Sequence, residues 1–157
     1  MRIYIMRHGE AHNFAASDAE RPLTERGQAL SQQMASQLVH QLHNGLDMVW
    51  VSPYLRAQQT WQAMASDLPA PKQLVTVDDI TPYGDAENVA AYIKAVIATE
   101  QPETLLVISH LPLVGYLTAE LVPGLQAPMF ITSSIAALDY QPESGSCELL
   151  WQANPEG

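Results

Sequence analysis

The chain has 157 residues, of which 47% are apolar and 15% are charged, and its formal net charge is −10 with histidine neutral. A chain of this size and composition can bury a hydrophobic core, so we expect residues 1–157 to form a single domain. Seven lysines and arginines are too few for a nucleic-acid or anionic-membrane surface, because such surfaces bind phosphate through clustered cations. An anionic ligand would therefore require these cations to be gathered in one place.

The sequence also indicates a cellular compartment. Its one cysteine, Cys147, cannot form an internal disulfide, which favours a reducing environment. The apolar run at residues 1–6 ends at Arg7, short of the ~7–15 apolar residues in the core of a signal peptide. No apolar run approaches the ~18 residues that cross a membrane. We expect a soluble, cytoplasmic and monomeric protein that binds neither nucleic acid nor membrane.

Hydrophobic periodicity predicts alternating strands and helices along most of the chain. Thr24 and Asp85 are suited to cap two of the helices. In chain order the predicted elements are a strand at 3–6, a helix between 24 and 45, a strand at 48–51, a helix at 55–68, a strand at 74–77, a helix from 85 to about 97, a strand at 105–108, a helix from 112 to about 121, and two antiparallel strands near 129–140 and 147–151.

This order predicts an α/β fold, a three-layer α/β/α sandwich whose central sheet is mostly parallel with an antiparallel edge strand. Polar residues follow three of the predicted strands. Arg7 and His8 follow the first, Ser52 and Arg56 the second, and His110 the fourth. Because the carboxyl ends of parallel strands lie along one edge of a sheet, these residues should converge on one crevice.

Two histidines and two arginines at such an edge indicate covalent phosphoryl transfer. Arginine gives bidentate hydrogen bonds to phosphate oxygens, and a neutral imidazole can attack phosphorus and later leave it again. Taken singly, each residue also has a structural explanation. Arg7-His8-Gly9 could be a turn with a surface histidine, His110 a hydrogen-bonded core histidine, and Arg56 a solvated helix charge.

Four short motifs resemble the signatures of the histidine phosphatase superfamily, in its order and spacing. The small size of the chain and several further segments, among them Thr81-Pro82 and residues 107–117, are similar to those of the SixA-type phosphohistidine phosphatases. The resemblance implies a phosphoglycerate mutase-like fold and covers almost the whole chain. The four motifs are Arg7-His8-Gly9-Glu10, Leu23-Thr24 with Gly27, Ser52-Pro53 with Arg56, Ala57, Gln59 and Thr60, and Ser109-His110.

The resemblance implies roles for the residues that match these motifs. His8 would be the nucleophile, Arg7 and Arg56 would clamp the phosphoryl group, and His110 would donate a further hydrogen bond to its oxygens. Arg21 would be an additional contact with the substrate. An ion pair between this arginine and a nearby carboxylate, Asp18 or Glu20, is the alternative role.

Three further residues are candidates for the site. Ser52 could offer its backbone or hydroxyl to the substrate, although capping a helix would explain it equally well. Asp85 and Asp18 are the carboxylates nearest by motif position that could act as an acid or orient water. For Asp85, a helix cap is the alternative. The sequence implies no metal ion and no cofactor.

The chain departs from its mutase-like relatives in ways that bear on the substrate. It has Ala11 and Phe14 where those relatives usually have serine and asparagine, and it is too short for the insertions that close their pocket and supply a general acid. We expect an open site without a cap subdomain. An imidazole, whose conjugate acid has a pKa of ~6.5, can leave from such a site without the acid that an alkoxide needs.

The sequence therefore predicts a phosphohistidine phosphatase acting on a protein. The family resemblance implies a histidine-containing phosphotransfer domain or a phosphocarrier protein as the partner. Two alternatives stay open at this point: a small-molecule phosphomonoesterase or sugar bisphosphatase on the same fold, and a phosphohistidine-binding module without turnover.

Overall fold

The structure, a computed structural model, describes residues 1–156. Strands and helices alternate within that range, with two short 3₁₀ segments at Asp18–Glu20 and Val39–Gln41. In chain order the elements are β1 (Arg2–Arg7), α1 (Glu25–Leu38), β2 (Met48–Val51), α2 (Leu55–Ala65), β3 (Gln73–Thr76), α3 (Ala86–Glu100), β4 (Thr104–Ser109), α4 (Leu113–Leu121), β5 (Ile135–Tyr140) and β6 (Cys147–Ala153).

The strands form one sheet in the order β3-β2-β4-β1-β5-β6. The first four strands in this order are parallel, and β5 runs antiparallel to both of its neighbours. The carboxyl ends of β2, β4 and β1 therefore lie side by side at one edge of the sheet. The predicted fold class is confirmed.

Helices cover both faces of the sheet, because the buried strands carry apolar side chains on both sides. Ile3 and Ile5 of β1 face the layer that contains α3 and α4, whereas Tyr4 and Met6 face the layer that contains α1 and α2. The interior is thus two apolar clusters separated by the sheet. Within residues 1–156 no helix is long and apolar enough to span a membrane.

Four helix boundaries differ from the prediction, one of which is the end of α3 at Glu100 rather than near 97. Thr24 caps α1 by accepting a hydrogen bond from the Gly27 N–H, but the α-helix ends at Leu38 and continues as a 3₁₀ turn. The second helix ends at Ala65, three residues early, and residues 66–68 form a turn. Pro112 lies one residue before α4 and so precedes its first helical position.

The largest difference is the start of β5, which begins at Ile135 rather than near Met129. The backbone before Ile135 bonds to the end of β1 instead of continuing a strand. The Phe130 carbonyl accepts from Arg7 Nη1 at 3.0 Å. The Ser133 N–H, at a residue with φ of 66°, donates to the carbonyls of Arg7 and His8. The apolar residues of this segment therefore produced a strand-like sequence pattern, although their backbone does not form a strand.

Candidate active site

Three strand ends bring the predicted site residues together. The hydrogen-bond pattern of the sheet continues just past the strands: the His8 N–H donates to the Ser109 carbonyl at 2.9 Å, and the Ser52 N–H donates to the Ile108 carbonyl at 3.1 Å. The rings of His8 and His110 lie with their centroids 5.0 Å apart. Residues separated by about a hundred positions in the chain thus share one site.

The two ring nitrogens of His8 have different partners. Nδ1 lies 2.7 Å from the Gly9 carbonyl oxygen, which can only accept, so Nδ1 carries the proton. Nε2 accepts a hydrogen bond from Arg56 Nε at 3.3 Å. This tautomer leaves the lone pair on Nε2, which is the nitrogen facing the guanidinium.

His8 is neutral at physiological pH. Burial, which leaves the residue 6% exposed, is the main cause that lowers its pKa to about 4. The Gly9 carbonyl opposes this shift, and the positive charges of Arg56, Arg7 and Arg21 add to it. A neutral imidazole with a free lone pair is the nucleophilic form of histidine.

His110 is held by Ser52. The Ser52 Oγ lies 2.7 Å from His110 Nε2 and also accepts from the Tyr54 N–H at 3.2 Å. The Ser52 hydroxyl accepts the Tyr54 N–H and donates its own proton to Nε2 of His110. The proton of the neutral His110 ring is then on Nδ1. Burial, followed by the charges of His8 and Arg56, lowers the pKa of His110 to about 2.

Two buried nitrogens in the site have no hydrogen-bond partner among residues 1–156. They are His110 Nδ1 and Arg7 Nε. Leaving a buried donor unpaired costs ~1–3 kcal/mol, so such atoms are uncommon unless a ligand completes them. Both can donate to an oxyanion, so the arrangement is chemically suited to bind an anion.

Both arginines are fixed by backbone carbonyls. Arg7 is half-buried and donates from Nη1 to Phe130, and burial with the nearby Arg56 charge lowers the pKa of its guanidinium. Arg56, which is 3% exposed, donates from Nη1 to the Asp18 carbonyl at 2.7 Å. The site thus gathers two of the seven cations beside His8, as the binding of an anionic ligand would require.

The remaining predicted residues fall into two groups. Arg21 pairs with Asp18 at 2.9 Å, and that carboxylate also reaches Arg56 Nη2 at 3.2 Å. These contacts, with the Arg21 hydrogen bond first, lower the pKa of Asp18, so it is ionised and poorly suited to donate a proton. Asp85 is exposed, and its carboxylate accepts from the N–H groups of Glu87 and Asn88 as the cap of α3.

Sequence reasoning missed two residues that shape the site. The Tyr54 ring lies edge-on to His110 and under the Arg56 guanidinium, with 5.0 Å to each. Thr60 Oγ1 accepts from the Gly9 N–H at 2.9 Å and donates to the Arg56 carbonyl at 2.7 Å, so it joins the loop after β1 to α2. Thr60 belongs to the motif that contains Arg56, which was the available signal for a role in the site, whereas no motif contains Tyr54.

No group of three or more histidine, cysteine, aspartate or glutamate side chains within residues 1–156 is arranged to hold a metal ion. The longest connection in that range, residues 8–24, contains a single 3₁₀ turn. The described part of the chain therefore has no cap subdomain over the site.

Comparison with known proteins identifies the family. The sequence model of the histidine phosphatase superfamily, branch 1, matches residues 3–88. The chain belongs to this superfamily. Membership of the histidine phosphatase superfamily confirms the resemblance that the four motifs indicated, and it accounts for the grouping of histidines and arginines at the strand ends.

Relatives within the superfamily match the chain over nearly its whole length. It is 46% identical over 155 residues to the phosphohistidine phosphatase SixA of Escherichia coli K12, covering 99% of this chain and 94% of that protein. The SixA homolog of Haemophilus influenzae is 38% identical, covering 99% and 97%. A solved structure of the protein histidine phosphatase SixA complexed with tungstate has a TM-score of 0.92 at 46% identity, covering 99% and 97%.

Proposed function

We propose that the protein is a phosphohistidine phosphatase, which removes the phosphoryl group from a histidine of a partner protein through a phospho-His8 intermediate. The observation that carries the proposal is the unprotonated Nε2 of His8, which faces Arg56 because the Gly9 carbonyl holds the ring proton on Nδ1. The SixA relative supports it, because tungstate is a tetrahedral oxyanion like phosphate.

In the first step, His8 Nε2 attacks phosphorus and forms an N–P bond while the N–P bond to the substrate imidazole breaks. Arg7, Arg56 and the Nδ1–H of His110 donate to the phosphoryl oxygens, where charge is spread in the transition state. Arg56 Nε exchanges its bond to Nε2 for one to a phosphoryl oxygen. The substrate imidazole takes a proton from solvent on its other ring nitrogen, so it departs as a neutral base when the electrons of the broken N–P bond return to it.

In the second step, water attacks phosphorus and the N–P bond to His8 breaks. The bonding electrons return to Nε2, the water oxygen stays on phosphorus, and inorganic phosphate is released. The same donors bind the phosphoryl oxygens in both steps. The substrate imidazole leaves from the side of phosphorus opposite His8 Nε2, and water later attacks from that side. His8 ends in the tautomer in which it began.

The leaving group favours a phosphoramidate over a phosphate ester. An alkoxide must be protonated by a positioned acid, and Asp18, the carboxylate in contact with Arg56, has a lowered pKa. An imidazole with a conjugate-acid pKa of ~6.5 needs less help. We therefore favour the phosphohistidine reaction over a sugar bisphosphatase or general phosphomonoesterase activity.

Exposed apolar side chains support a protein substrate. They lie on the loop that contains His8, on the first turn of α2 beside Arg56, and on the segment that contains the carbonyl partner of Arg7, and they are defined here as the apolar rim. A partner that delivers a phosphohistidine to His8 would cover this rim and bury its surface. The rim consists of Phe14, Leu55, Met129 and Ile131, which are 89%, 36%, 78% and 51% exposed.

The further parts of the proposal concern the partner and its setting. We propose a histidine-containing phosphotransfer domain or a phosphocarrier protein as the partner, and a monomeric, single-domain enzyme acting in the cytoplasm. Arg7, His8, Arg56 and His110 would be catalytic, with Arg21 and Ser52 assisting binding. Size-exclusion chromatography with light scattering would test the monomeric state.

The reaction is tested by incubating the protein with a ³²P-phosphohistidine partner and following both phosphate release and label on the enzyme. We expect His8→Ala to abolish both, and the exposed His43→Ala control to retain both. Full turnover by His8→Ala would refute the nucleophile. Binding of the phosphorylated partner with neither label on His8 nor phosphate release would instead support a binding module. Faster turnover of sugar phosphates would support an esterase.

The apolar rim is tested with Phe14→Ser and Met129→Ser. Phe14 and Met129, the most exposed side chains of the rim, are the expected anchors. Truncating an anchor costs more than ~1 kcal/mol, so we expect KM for the phosphorylated partner to rise about fivefold or more with each variant. Turnover of free phosphohistidine should be unchanged. Leu74→Ser, at an exposed residue of the outer strand β3, is the matched control. An equal loss on both substrates would argue against docking at the rim.

A further inference from the structure

All three nitrogens of the Arg56 guanidinium are occupied by two residues. Nε donates to His8, and both terminal nitrogens bond to Asp18: Nη1 to its carbonyl at 2.7 Å and Nη2 to carboxylate Oδ2 at 3.2 Å. Arg56 is 3% exposed, whereas the Asp18 side chain is 44% exposed. A surface carboxylate therefore fixes the orientation of a buried guanidinium beside the nucleophile.

The same carboxylate also binds Arg21. Its Oδ1 accepts from Arg21 Nη1 at 2.9 Å, while Arg21 Nε donates to the His12 carbonyl at 2.7 Å. Asp18 thus bridges two guanidiniums, one on the loop after β1 and one on α2. Since like charges repel, two arginines are held side by side at lower cost when an anion lies between them.

We propose that Asp18 is a positioning residue, which holds Arg56 and Arg21 as a preset pair of donors for the phosphoryl oxygens and does not itself donate a proton. The effect of Asp18 on kcat/KM rests on the proposed function, whereas its effect on the binding of an oxyanion such as tungstate does not. Preset donors accelerate phosphoryl transfer because they do not have to reorganise as charge develops.

A positioning role and an acid role predict different patterns in the Asp18→Asn variant. Asparagine keeps the size and one acceptor oxygen but loses the charge, so both arginines should be held less well. We expect about a tenfold loss of tungstate affinity in calorimetry, and a loss of kcat/KM of tenfold or more. That kinetic loss should be the same for N-phosphorylated imidazoles whose leaving groups differ in basicity.

Glu20→Gln is the matched control, because Glu20 lies in the same 3₁₀ turn and accepts a hydrogen bond from Ser17 rather than from an arginine. It should leave tungstate affinity unchanged. Asp18→Glu, which restores the charge, should recover part of the affinity and of kcat/KM. It also serves as the second variant if Asp18→Asn does not fold by circular dichroism.

Two results would overturn the inference. One is tungstate affinity that is unchanged in folded Asp18→Asn. The other is a kinetic loss that grows as the leaving imidazole becomes more basic, which would assign Asp18 as a proton donor. A wild-type protein that binds tungstate but releases no phosphate from any phosphohistidine would refute the proposed function, and the tungstate arm would still decide on Asp18.

Discussion

Acidification from pH 7 to pH 5 should destabilise the protein through its two buried histidines. The pKa of His8 is lowered to about 4 and that of His110 to about 2, mainly by burial. In the unfolded chain each histidine titrates near ~6.5. Between these values the unfolded state binds more protons than the native state, so stability is highest above pH 6.5 and is lost as the pH falls.

The size of the effect follows from the unfolded-state titration. At pH 5, protonating a histidine of pKa ~6.5 stabilises the unfolded chain by about 2 kcal/mol relative to pH 7, while both native imidazoles stay largely neutral. Two such residues give a loss of about 4 kcal/mol, a large part of the ~5–15 kcal/mol that stabilises a typical domain. Asp18 and Asp47, whose pKa values are lowered, lose their contribution only below about pH 4.

Urea unfolding at pH 7 and pH 5, followed by fluorescence of the buried Trp50 and Trp61, measures this loss. His8→Asn and His110→Asn should each reduce the pH-dependent loss by about 2 kcal/mol. Thr60→Val, a buried substitution in the same site that carries no titratable group, should retain all of it. A wild-type free energy of unfolding that differs by less than about 1 kcal/mol between the two pH values would refute the neutral, buried state of both rings.

Two further substitutions test the site and its support. Arg7→Ala should lower kcat/KM for the phosphorylated partner by about 30- to 1,000-fold, corresponding to ~2–4 kcal/mol of lost transition-state stabilisation. Arg2→Ala, at the other end of β1, should leave kcat/KM unchanged. Equal effects of the two substitutions in kinetic assays would show that Arg7 does not bind the phosphoryl group. Gly27→Ala should destabilise the protein by ~1–3 kcal/mol in urea unfolding, because its Cβ would overlap the Glu10 backbone. The exposed Gln28→Ala should be neutral, and a stable Gly27→Ala protein would contradict that close contact.

Much of the fold follows from local pattern. The apolar runs of β1 and β4 are too regular to miss, and their polar carboxyl ends predict a shared crevice because parallel strands end at one edge. His8 and His110 could therefore be paired from the sequence before any distance was known. In the structure β1 and β4 are neighbours that pair in parallel, as the alternation with helices indicates.

The features that escaped prediction depend on contacts between distant segments. Apolar residues before Ile135 predict a strand, but their backbone bonds to the end of β1. The Asp18 carboxylate could be assigned to an ion pair with Arg21, yet its second bond to Arg56 crosses 38 positions. The position of the Tyr54 ring, between His110 and Arg56, likewise depends on the packing of α2 and not on any local pattern.

The central claim is that His8 attacks phosphorus through Nε2, because the Gly9 carbonyl holds the proton on Nδ1. The most direct test is to quench the reaction with a phosphohistidine protein at high pH, digest the labelled enzyme, and determine the phosphorylated nitrogen by mass spectrometry and ³¹P NMR. We expect a single phosphoryl group on Nε2 of His8. A phosphoryl group on Nδ1, or a labelled enzyme in which His8 is unmodified, would contradict the claim.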